Sequence, residues 1–257
     1  MTSRGMTSRD VRTAGLRTTA GRSSVIAAVG VVIPAHDEED LLPSCLAAVR
    51  LAAAPLPGLP VHVVVVADAC TDQTAAVARA GGAAVLDIGA RNVGAARAAG
   101  VAEVLRRTGP LDPASVWLAT TDADTLVPAC WLTRQLRYAE GGWDAVVGTI
   151  TVTDWRQYPA EVPPRFQQLY ATAGPTHPHV HGANLSFSAA AYLAAGGFGP
   201  DRTAEDHALV NALAAAGRRV LRTTTVSVVT SARRRARAPH GFSHLLTTLS
   251  APAEAQV

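Results

Sequence analysis

The amino-acid sequence predicts an α/β fold built on a mostly parallel central sheet. Short runs of β-branched residues alternate with Ala- and Leu-rich stretches from about residue 29 to residue 152. Regular alternation of this kind is typical of parallel strands joined by helical crossovers. The run VHVVVVAD (61–68) is apolar throughout instead of alternating, which favours a strand that helices cover on both faces of the sheet.

The predicted elements follow one another with short connections. The strands are VGVVIP (29–34), VHVVVVAD (61–68), AAVLDIG (83–89), SVWLATTD (115–122) and DAVVGTITV (144–152). The helices are EEDLLPSCLAAVRLAAA (38–54), TDQTAAVARAGG (71–82), NVGAARAAGVAEVLRRTG (92–109) and PACWLTRQLRYAEGG (128–142). Acids and Pro43 mark the start of the first helix, and Thr71 or Asp72 is the predicted N-cap of the second.

Beyond residue 152 the alternation stops. We predict a proline-rich irregular segment around one helix (154–178), a strand HVHGANLSFS (179–188), a short helix AAAYLAAGG (189–197), a helix capped by Thr203, a strand VLRTTTVSVVTS (220–231) and a helix near the chain end. The predicted organisation is a disordered leader (1–24), one domain (25–230) with halves 25–125 and 126–230, and a basic tail (231–257).

Charge, cysteine content and hydropathy narrow the possible partners and location of the protein. The formal net charge is only +3, and the arginines concentrate near the N-terminus and in SARRRARAP (231–239), so we expect no nucleic-acid partner. The 3 cysteines form no CxxC pair, which indicates a reducing cytoplasm. No apolar run reaches the roughly 18 residues that span a bilayer. Peripheral membrane contact stays open.

Carboxylates follow three of the predicted strands, where open α/β sheets collect their ligands. They are Asp37 and Glu38, then Asp68 and Asp72, then Asp122 and Asp124. Helix capping is an alternative explanation for Glu38 and Asp72. No glycine-rich fingerprint follows the first strand, so the chain has no loop of that kind to hold phosphates. A site rich in carboxylates binds a diphosphate through a hard cation, Mg²⁺ or Mn²⁺.

Five ordered motifs together resemble a family 2 glycosyltransferase with the GT-A fold. They are VVIPAHDEE (31–39), VVVVADACTD (63–72), ARNVGAARAAG (90–100), TTDADTLVP (120–128) and GANLSFSAAAYLAAGGF with AEDHAL (182–198 and 204–209). The resemblance covers roughly residues 29 to 216. It implies transfer of a sugar from a UDP- or GDP-sugar donor to a hydroxyl-bearing acceptor.

The resemblance also implies a donor pocket. Its nucleotide-binding residues would be Pro34, Asp37, Glu38, Asp68, Asp72, Arg91, Asn92, Gly94 and Asp122. Tight helix packing is an equally good explanation for Gly94. Cys70 stands where relatives usually have serine, and we expect no effect because Thr71 keeps a hydroxyl beside it. Asp124 would ligate the cation directly, with Asp122 on the ribose or in the metal shell.

The acidic pair Glu205 and Asp206 matches the family's acceptor-side motif. Adjacent residues on a helix point about 100° apart, so the two acids are expected to do different jobs. The resemblance favours Asp206 as the base that takes the acceptor proton, with Glu205 orienting the acceptor or substituting for it. Both acids would also stabilise the helix, because negative charge near its N-terminus interacts favourably with the helix dipole.

Several weaker assignments concern the C-terminal half. The resemblance implies that His181, Gly182, Ala183 and Asn184 line the sugar and acceptor pocket. His177, His179 and His181 would share one face of a strand, which makes a metal site an alternative. Arg233 and Arg234 would clamp the diphosphate or form a solvated basic face, and His240 is a candidate additional metal ligand.

The sequence thus predicts a metal-dependent, inverting glycosyltransferase. Because it has no C-terminal membrane helices like those of processive relatives, we expect a single sugar on a small molecule, a lipid or a natural product. A retaining enzyme is the alternative. A sugar-phosphate nucleotidyltransferase would need a glycine-rich signature after the first strand, and an inactive binding module would have lost some of the acids.

Overall fold

The computed structural model describes residues 25–172, 174–199, 204–233 and 242–250. The predicted leader (1–24), Arg234, His240 and Thr203 lie outside the described residues. Among the described residues, one eight-stranded sheet carries helices on both faces. No helix in this part of the chain is both long enough and apolar enough to cross a membrane.

The sheet is parallel on one side and mixed on the other. Its strands are β1 (Ala28–Ala35), β2 (Val61–Asp68), β3 (Ala84–Ile88), β4 (Val116–Thr120), β5 (Thr125–Leu126), β6 (Ala145–Thr151), β7 (Leu185–Ser188) and β8 (Val220–Thr230). They lie in the order β3-β2-β1-β4-β7-β6-β8-β5. The first four pair in parallel, whereas β7 is antiparallel to both β4 and β6. The predicted α/β class is confirmed.

The helices are α1 (Leu42–Ala53), α2 (Thr74–Ala80), α3 (Val93–Thr108), α4 (Trp131–Glu140), α5 (Val162–Tyr170), α6 (Ala189–Ala194), α7 (Glu205–Ala215) and α8 (Phe242–Leu249). Their starts differ from the prediction. The N-cap position of α2 is held by Gln73, and the Asp72 carboxylate before it accepts the Thr74 amide at 2.9 Å. At α7 the cap position is held by Ala204 in the left-handed conformation, not by Thr203.

The predicted strand HVHGANLSFS (179–188) is wrong in its first half. Only Leu185–Ser188 forms a strand, and Gly182–Asn184 is a 3-10 turn. The turn exists because its polar groups bond away from the sheet ladder. The Gly182 amide donates to Asp206, and the Thr120 hydroxyl donates to the Gly182 carbonyl at 2.6 Å.

Two apolar layers sandwich the sheet. Side chains from α1 and α4 cover one face, and side chains from α3, α6 and α7 cover the other. Alternate residues of β1 divide between them, with Val31 in the first layer and Val32 in the second. A third, smaller cluster joins α5 to α8 around Phe166, whose ring centroid lies 5.8 Å from that of Phe242. Part of the predicted tail (231–257) therefore packs on the domain.

Helix α3 lies unusually close to the sheet. A Cβ added at Gly100 would meet Cγ1 of Val32 at 2.3 Å and Cγ2 of Val66 at 3.1 Å. Both valines are fully buried in central strands and have no room to move. The absence of a side chain at Gly100 thus sets how near α3 approaches, and with it the position of the residues that α3 presents to the site.

We predict that Gly100→Ala lowers the free energy of unfolding. Alanine gains about 1 kcal/mol of helix propensity, but the overlap with Val32 forces strain of about 1–3 kcal/mol. A net loss of up to about 2 kcal/mol is expected in urea denaturation. Ala102→Ser, on the exposed side of the same helix, is the control and should change stability by less than about 0.5 kcal/mol. An unchanged or raised stability for Gly100→Ala would contradict the close packing.

Candidate active site

The carboxylates predicted at strand ends do meet at one edge of the sheet. Strands β2, β1 and β4 are neighbours and parallel, so their carboxyl ends point the same way. Asp68 ends β2, the pair Asp37 and Glu38 follows β1, and Asp122 and Asp124 follow β4. The amino-terminal end of α7 with Glu205 reaches the same edge, because Arg97 joins it to Asp122.

A buried arginine occupies the centre of this edge. Arg97 on α3 has only 5% of its side chain exposed. Its Nη2 lies 2.6 Å from Oδ1 of Asp122, and its Nη1 pairs with Oε1 of Glu205. Burial lowers the pKa of the guanidinium, but the charges of Asp122 and Glu205 outweigh this and raise it overall. Arg97 is therefore a permanent cation between the donor motif and the acid pair of α7.

The prediction from sequence missed Arg97, although it stands within the motif ARNVGAARAAG (90–100). A signal was present. The buried positions of α3 include Arg97, Val101, Val104 and Thr108, which recur at the three- and four-residue spacing of one helix face. An arginine on the apolar face of a helix requires buried acids as partners.

Gly182 is held against the guanidinium of Arg97. A Cβ at this position would lie 2.3 Å from Cζ of the arginine. Only glycine lets the 3-10 turn Gly182–Asn184 pack flat on Arg97. The backbone amide of Gly182 donates to Oδ2 of Asp206 at 2.8 Å, so the same residue also positions the second acid of α7.

A second arginine bridges two of the strand-end carboxylates. Arg233 makes a bidentate pair with Glu38, at 2.7 and 2.6 Å, and its Nη2 lies 3.2 Å from Oδ2 of Asp124. Burial raises the pKa of Asp124 to about 6; Arg233 opposes this, while Asp122 and Glu38 add to it. Arg233 therefore pairs with two carboxylates, and one of them is the predicted metal ligand Asp124.

Asp68 holds the loop that precedes α3. Its two carboxylate oxygens accept the backbone amides of Arg91 at 2.8 Å and Asn92 at 2.7 Å, and the residue is buried. Arg91 has a positive φ of 48°, which the two hydrogen bonds stabilise. Asn92 caps α3 by accepting the Ala95 amide at 2.9 Å. Gly94 is buried in the first turn of this helix.

The loops after β1 and β2 are tied to each other. Asp37 accepts the Thr71 amide at 2.7 Å, and this bond lowers the pKa of Asp37. The Glu38 amide donates to the Thr74 hydroxyl at 2.7 Å, and Oδ2 of Asp72 accepts the Glu39 amide at 3.1 Å. Pro34, near the end of β1, is half-buried. The two loops hold each other in place, because each donates hydrogen bonds to the other and accepts hydrogen bonds from it.

The two acids of α7 point in different directions. Glu205 is buried on Arg97, whereas Asp206 is half-buried and faces Gly182. His181 lies beside this acid pair, and its Nε2 is 3.0 Å from the Tyr170 hydroxyl. Burial lowers the pKa of His181 to about 4. The imidazole is therefore neutral at physiological pH.

Two residues predicted to line the pocket belong to the core instead. Ala183 is 5% exposed and packs in the α1–α4 layer. The Asn184 amide donates to the carbonyls of Thr149 at 2.8 Å and Val226 at 3.0 Å, and its oxygen accepts Nε1 of Trp131 at 2.9 Å. Asn184 therefore cross-links β6 and β8. The Asn184 side chain is 1% exposed, and these hydrogen bonds use its oxygen and its nitrogen within the core.

The alternative of a three-histidine metal site finds no support. His177, His179 and His181 do share one face, with near-parallel rings whose centroids are 6.0 and 6.3 Å apart. However, Nε2 of His177 bonds to the Val147 carbonyl at 3.0 Å. Within the described ranges, these histidines do not form a group with three ligand atoms within 4.8 Å of one another.

Comparison with known proteins identifies the family. The model of glycosyl transferase family 2 matches residues 30–194, and the chain belongs to this family. The matching family model is that of a glycosyl transferase and not of a nucleotidyltransferase. No curated protein matches the chain.

Solved structures of glycosyltransferases share the GT-A fold. The mannosyltransferase PcManGT from Pyrobaculum calidifontis, in complex with GDP-Man and Mn²⁺, matches with a TM-score of 0.60 and 22% identity over 84% of this chain and 60% of its own. S. aureus TarS 1-349 in complex with UDP-GlcNAc matches with a TM-score of 0.60 and 15% identity over 86% and 65%. Glucosyl-3-phosphoglycerate synthase from Mycobacterium tuberculosis, in complex with Mn²⁺, UDP and glucosyl-3-phosphoglycerate, gives 0.53 and 18% over 87% and 76%. The chain thus spans three fifths of the mannosyltransferase.

We predict that His181 makes folding sensitive to acid. The pKa of His181 is about 6.5 in the unfolded chain and about 4 in the folded protein. Above about pH 6.5 the ring is neutral in both states and the free energy of unfolding is at its full value. As the pH drops from about 6.5 towards 4 this free energy falls, because the unfolded chain binds a proton that the folded protein does not. Between pH 8 and pH 5 the loss amounts to at most about 2 kcal/mol.

His181→Gln keeps a polar partner for Tyr170 but does not titrate. Urea denaturation at pH 8 and pH 5 should therefore show a smaller drop in stability for this variant than for the wild type. Equal drops in the two proteins would show that His181 is not the buried neutral group described above.

Proposed function

We propose that this glycosyltransferase moves a sugar from a nucleoside-diphosphate donor to a hydroxyl group with inversion at the anomeric carbon, in a metal-dependent reaction. The observation that carries the proposal is the bridge Asp122–Arg97–Glu205. It joins the acids that follow β4 to the acids that begin α7. Donor-side and acceptor-side carboxylates therefore belong to one site, as a direct transfer between two bound substrates requires.

The residues after β4 suit a hard divalent cation. Arginines contact Oδ1 of Asp122 and Oδ2 of Asp124, and these two carboxylates would hold Mg²⁺ or Mn²⁺. The contact with Arg233 already places positive charge at Asp124. When bound, the cation supplies neutralisation of the charge that develops on the leaving diphosphate. The Mn²⁺ complexes of the mannosyltransferase and the phosphoglycerate synthase support this assignment.

The neighbouring edge forms the donor pocket in this proposal. Its residues are Pro34, Asp37, Glu38, Asp68, Asp72, Arg91, Asn92 and Gly94, with Asp122 on the nucleotide side. Asp68 and Asp72 act mainly by fixing loops, since backbone amides occupy their carboxylates. Arg233 is the candidate that moves from Glu38 and Asp124 to the diphosphate, because both its present partners lie at the edge where the phosphates arrive.

Asp206 is the proposed base. Glu205 is buried and paired with Arg97, so it holds geometry and does not exchange protons with an acceptor. Asp206 is half-buried, and its two oxygens accept the amides of Gly182 at 2.8 Å and His207 at 2.7 Å. The acceptor hydroxyl gives its proton to the Asp206 carboxylate, and its oxygen bonds to the anomeric carbon. The bond from that carbon to the diphosphate breaks on the opposite face, which inverts the configuration.

The acceptor side borders His181 and Tyr170. The ring of Tyr170 stacks on that of His179 with centroids 4.1 Å apart, next to the aromatic cluster of α5 and α8. We propose a single transfer to a small molecule, a lipid or a natural product there. The three cysteines are free, which supports the cytoplasm as the place of the reaction.

We predict that Asp206→Asn separates donor binding from transfer. Asparagine keeps an oxygen for the Gly182 amide but takes no proton, so transfer should fall by about 10²–10⁴-fold. The thermal shift given by UDP or GDP with Mn²⁺ should stay as in the wild type. Products are measured by mass spectrometry with a panel of UDP- and GDP-sugars and a metabolite extract as acceptor.

The matched variant is Asp124→Asn, which should lose the Mn²⁺-dependent thermal shift as well as transfer. Asp87→Asn, an exposed acid on β3, should change neither. If Asp206→Asn and Asp124→Asn each retained wild-type transfer with the active donor, the proposed mechanism would be wrong.

Arg97 is proposed as a positioning residue, and its replacement tests whether it does more than support the fold. Arg97→Met leaves two carboxylates without their cation and should cost about 3–5 kcal/mol of stability. The double variant Arg97→Met/Glu205→Met replaces the buried pair by apolar side chains and should recover most of that loss. We predict that transfer stays lost in the double variant. Recovery of transfer together with stability would show a purely structural role.

A further inference from the structure

A second group of metal-binding side chains lies apart from Asp122 and Asp124. The ligand atoms of His36, Asp37 and Cys70 all lie within 4.8 Å of one another at the adjoining ends of β1 and β2. In the part of the chain that the structure describes, no other three histidine, cysteine, aspartate or glutamate side chains do so. We propose that these three residues bind a transition-metal ion of the zinc class.

His36 is held in the tautomer that a metal ligand needs. Its Nδ1 lies 2.7 Å from the carbonyl oxygen of Asp68. A carbonyl only accepts, so Nδ1 carries the hydrogen and Nε2 carries the lone pair in the neutral ring. Nε2 lies 3.8 Å from Oδ2 of Asp37. A backbone carbonyl that fixes one ring nitrogen while the other faces the ligand group is the usual support of a metal-bound histidine.

Cys70 is half-buried and its sulfur already has a supporting donor. The Asp37 amide donates to Sγ at 3.4 Å, and Sγ donates to the Ala35 carbonyl at 3.4 Å. When a metal–sulfur bond forms, the thiol proton leaves to solvent and the bond to Ala35 is given up. The Asp37 amide remains and stabilises the thiolate.

The backbone holds the three ligands in place. Asp37 and Ala69 have positive φ values of 50° and 53°, a conformation that costs non-glycine residues energy. Hydrogen bonds keep both turns. Asp37 is bound to Thr71, and the Ala69 amide donates to the Ile88 carbonyl at 2.7 Å. The backbone conformation that positions the three ligands is therefore already formed before an ion binds.

The donor set selects the kind of metal. One thiolate, one imidazole and one carboxylate suit Zn²⁺ or Co²⁺, with water in the fourth position. Mg²⁺ and Mn²⁺ prefer oxygen ligands, which Asp122 and Asp124 supply. The protein thus has a soft site beside a hard one. Since Asp37 also belongs to the proposed donor pocket, an ion here should compete with the nucleotide, a consequence that rests on the proposed function.

Cobalt absorption tests the site without any assay of transfer. Metal-free full-length protein is titrated with Co²⁺, whose bond to a thiolate gives a charge-transfer band in the near ultraviolet. We expect one equivalent to develop the band in the wild type. Cys70→Ser should abolish it or raise the dissociation constant at least about tenfold. Cys130→Ser, which removes another half-buried free thiol, should leave it unchanged.

Three results would overturn the proposal. They are no band at one equivalent, a band that survives Cys70→Ser, and a band that disappears with Cys130→Ser. Asp124→Asn should keep the band whether or not the proposed reaction is correct, so a failed transfer assay and a failed metal site are distinguishable.

Alkylation of the unchanged chain gives a second measurement that does not depend on a variant folding. Peptide mapping after brief maleimide treatment compares the modification of Cys70 and Cys130 with and without Zn²⁺. We expect Zn²⁺ to protect Cys70 by at least about tenfold while Cys130 reacts as before. Equal reactivity of Cys70 in both conditions would contradict zinc binding.

Discussion

A buried arginine between two carboxylates is the interaction on which the rest of the active site depends. Taking Arg97 and Glu205 out of water costs several kcal/mol per ion, and their pairing with each other and with the partly exposed Asp122 offsets it. The pairing fixes α3, the loop after β4 and the start of α7 relative to one another. It also explains Gly182, because any side chain there would overlap the guanidinium. The loop after β4 and the start of α7 are therefore held together by one cation.

Positive charge inside the protein offsets the acidic edge of the sheet. Carboxylates gathered at the ends of three neighbouring strands repel one another, and burial adds to the cost, as the raised pKa of Asp124 shows. Arg97 and Arg233 neutralise part of this charge. Arg97 is fully enclosed, whereas 22% of the Arg233 side chain is exposed near the chain's C-terminal segment. The enclosed arginine suits a permanent role, and the exposed one suits exchange with a ligand.

Sequence reasoning reached the fold and the acids but not the partners of the acids. The Val run of β2 and the alternation around it sufficed for the parallel half of the sheet, since strand period and burial are local properties. Residues 179–184 were misassigned as strand because their conformation depends on Asp206 and Thr120, which are distant along the chain. The position of Arg97 on the apolar face of α3 predicts acidic partners, but which acids flank it depends on contacts between residues distant along the chain.

Short motifs and local periodicity encode the order of most strands and helices, the carboxylates at the strand ends and the family resemblance, so these features follow from the sequence alone. The tertiary structure sets the partners of these carboxylates. It pairs Glu205 with Arg97 and brings Asp206 to the Gly182 amide. It moved Asn184 from the predicted pocket into the sheet. It also brought His36 to Cys70 across two loops. Each outcome is a contact between residues far apart in the chain, which no local pattern encodes.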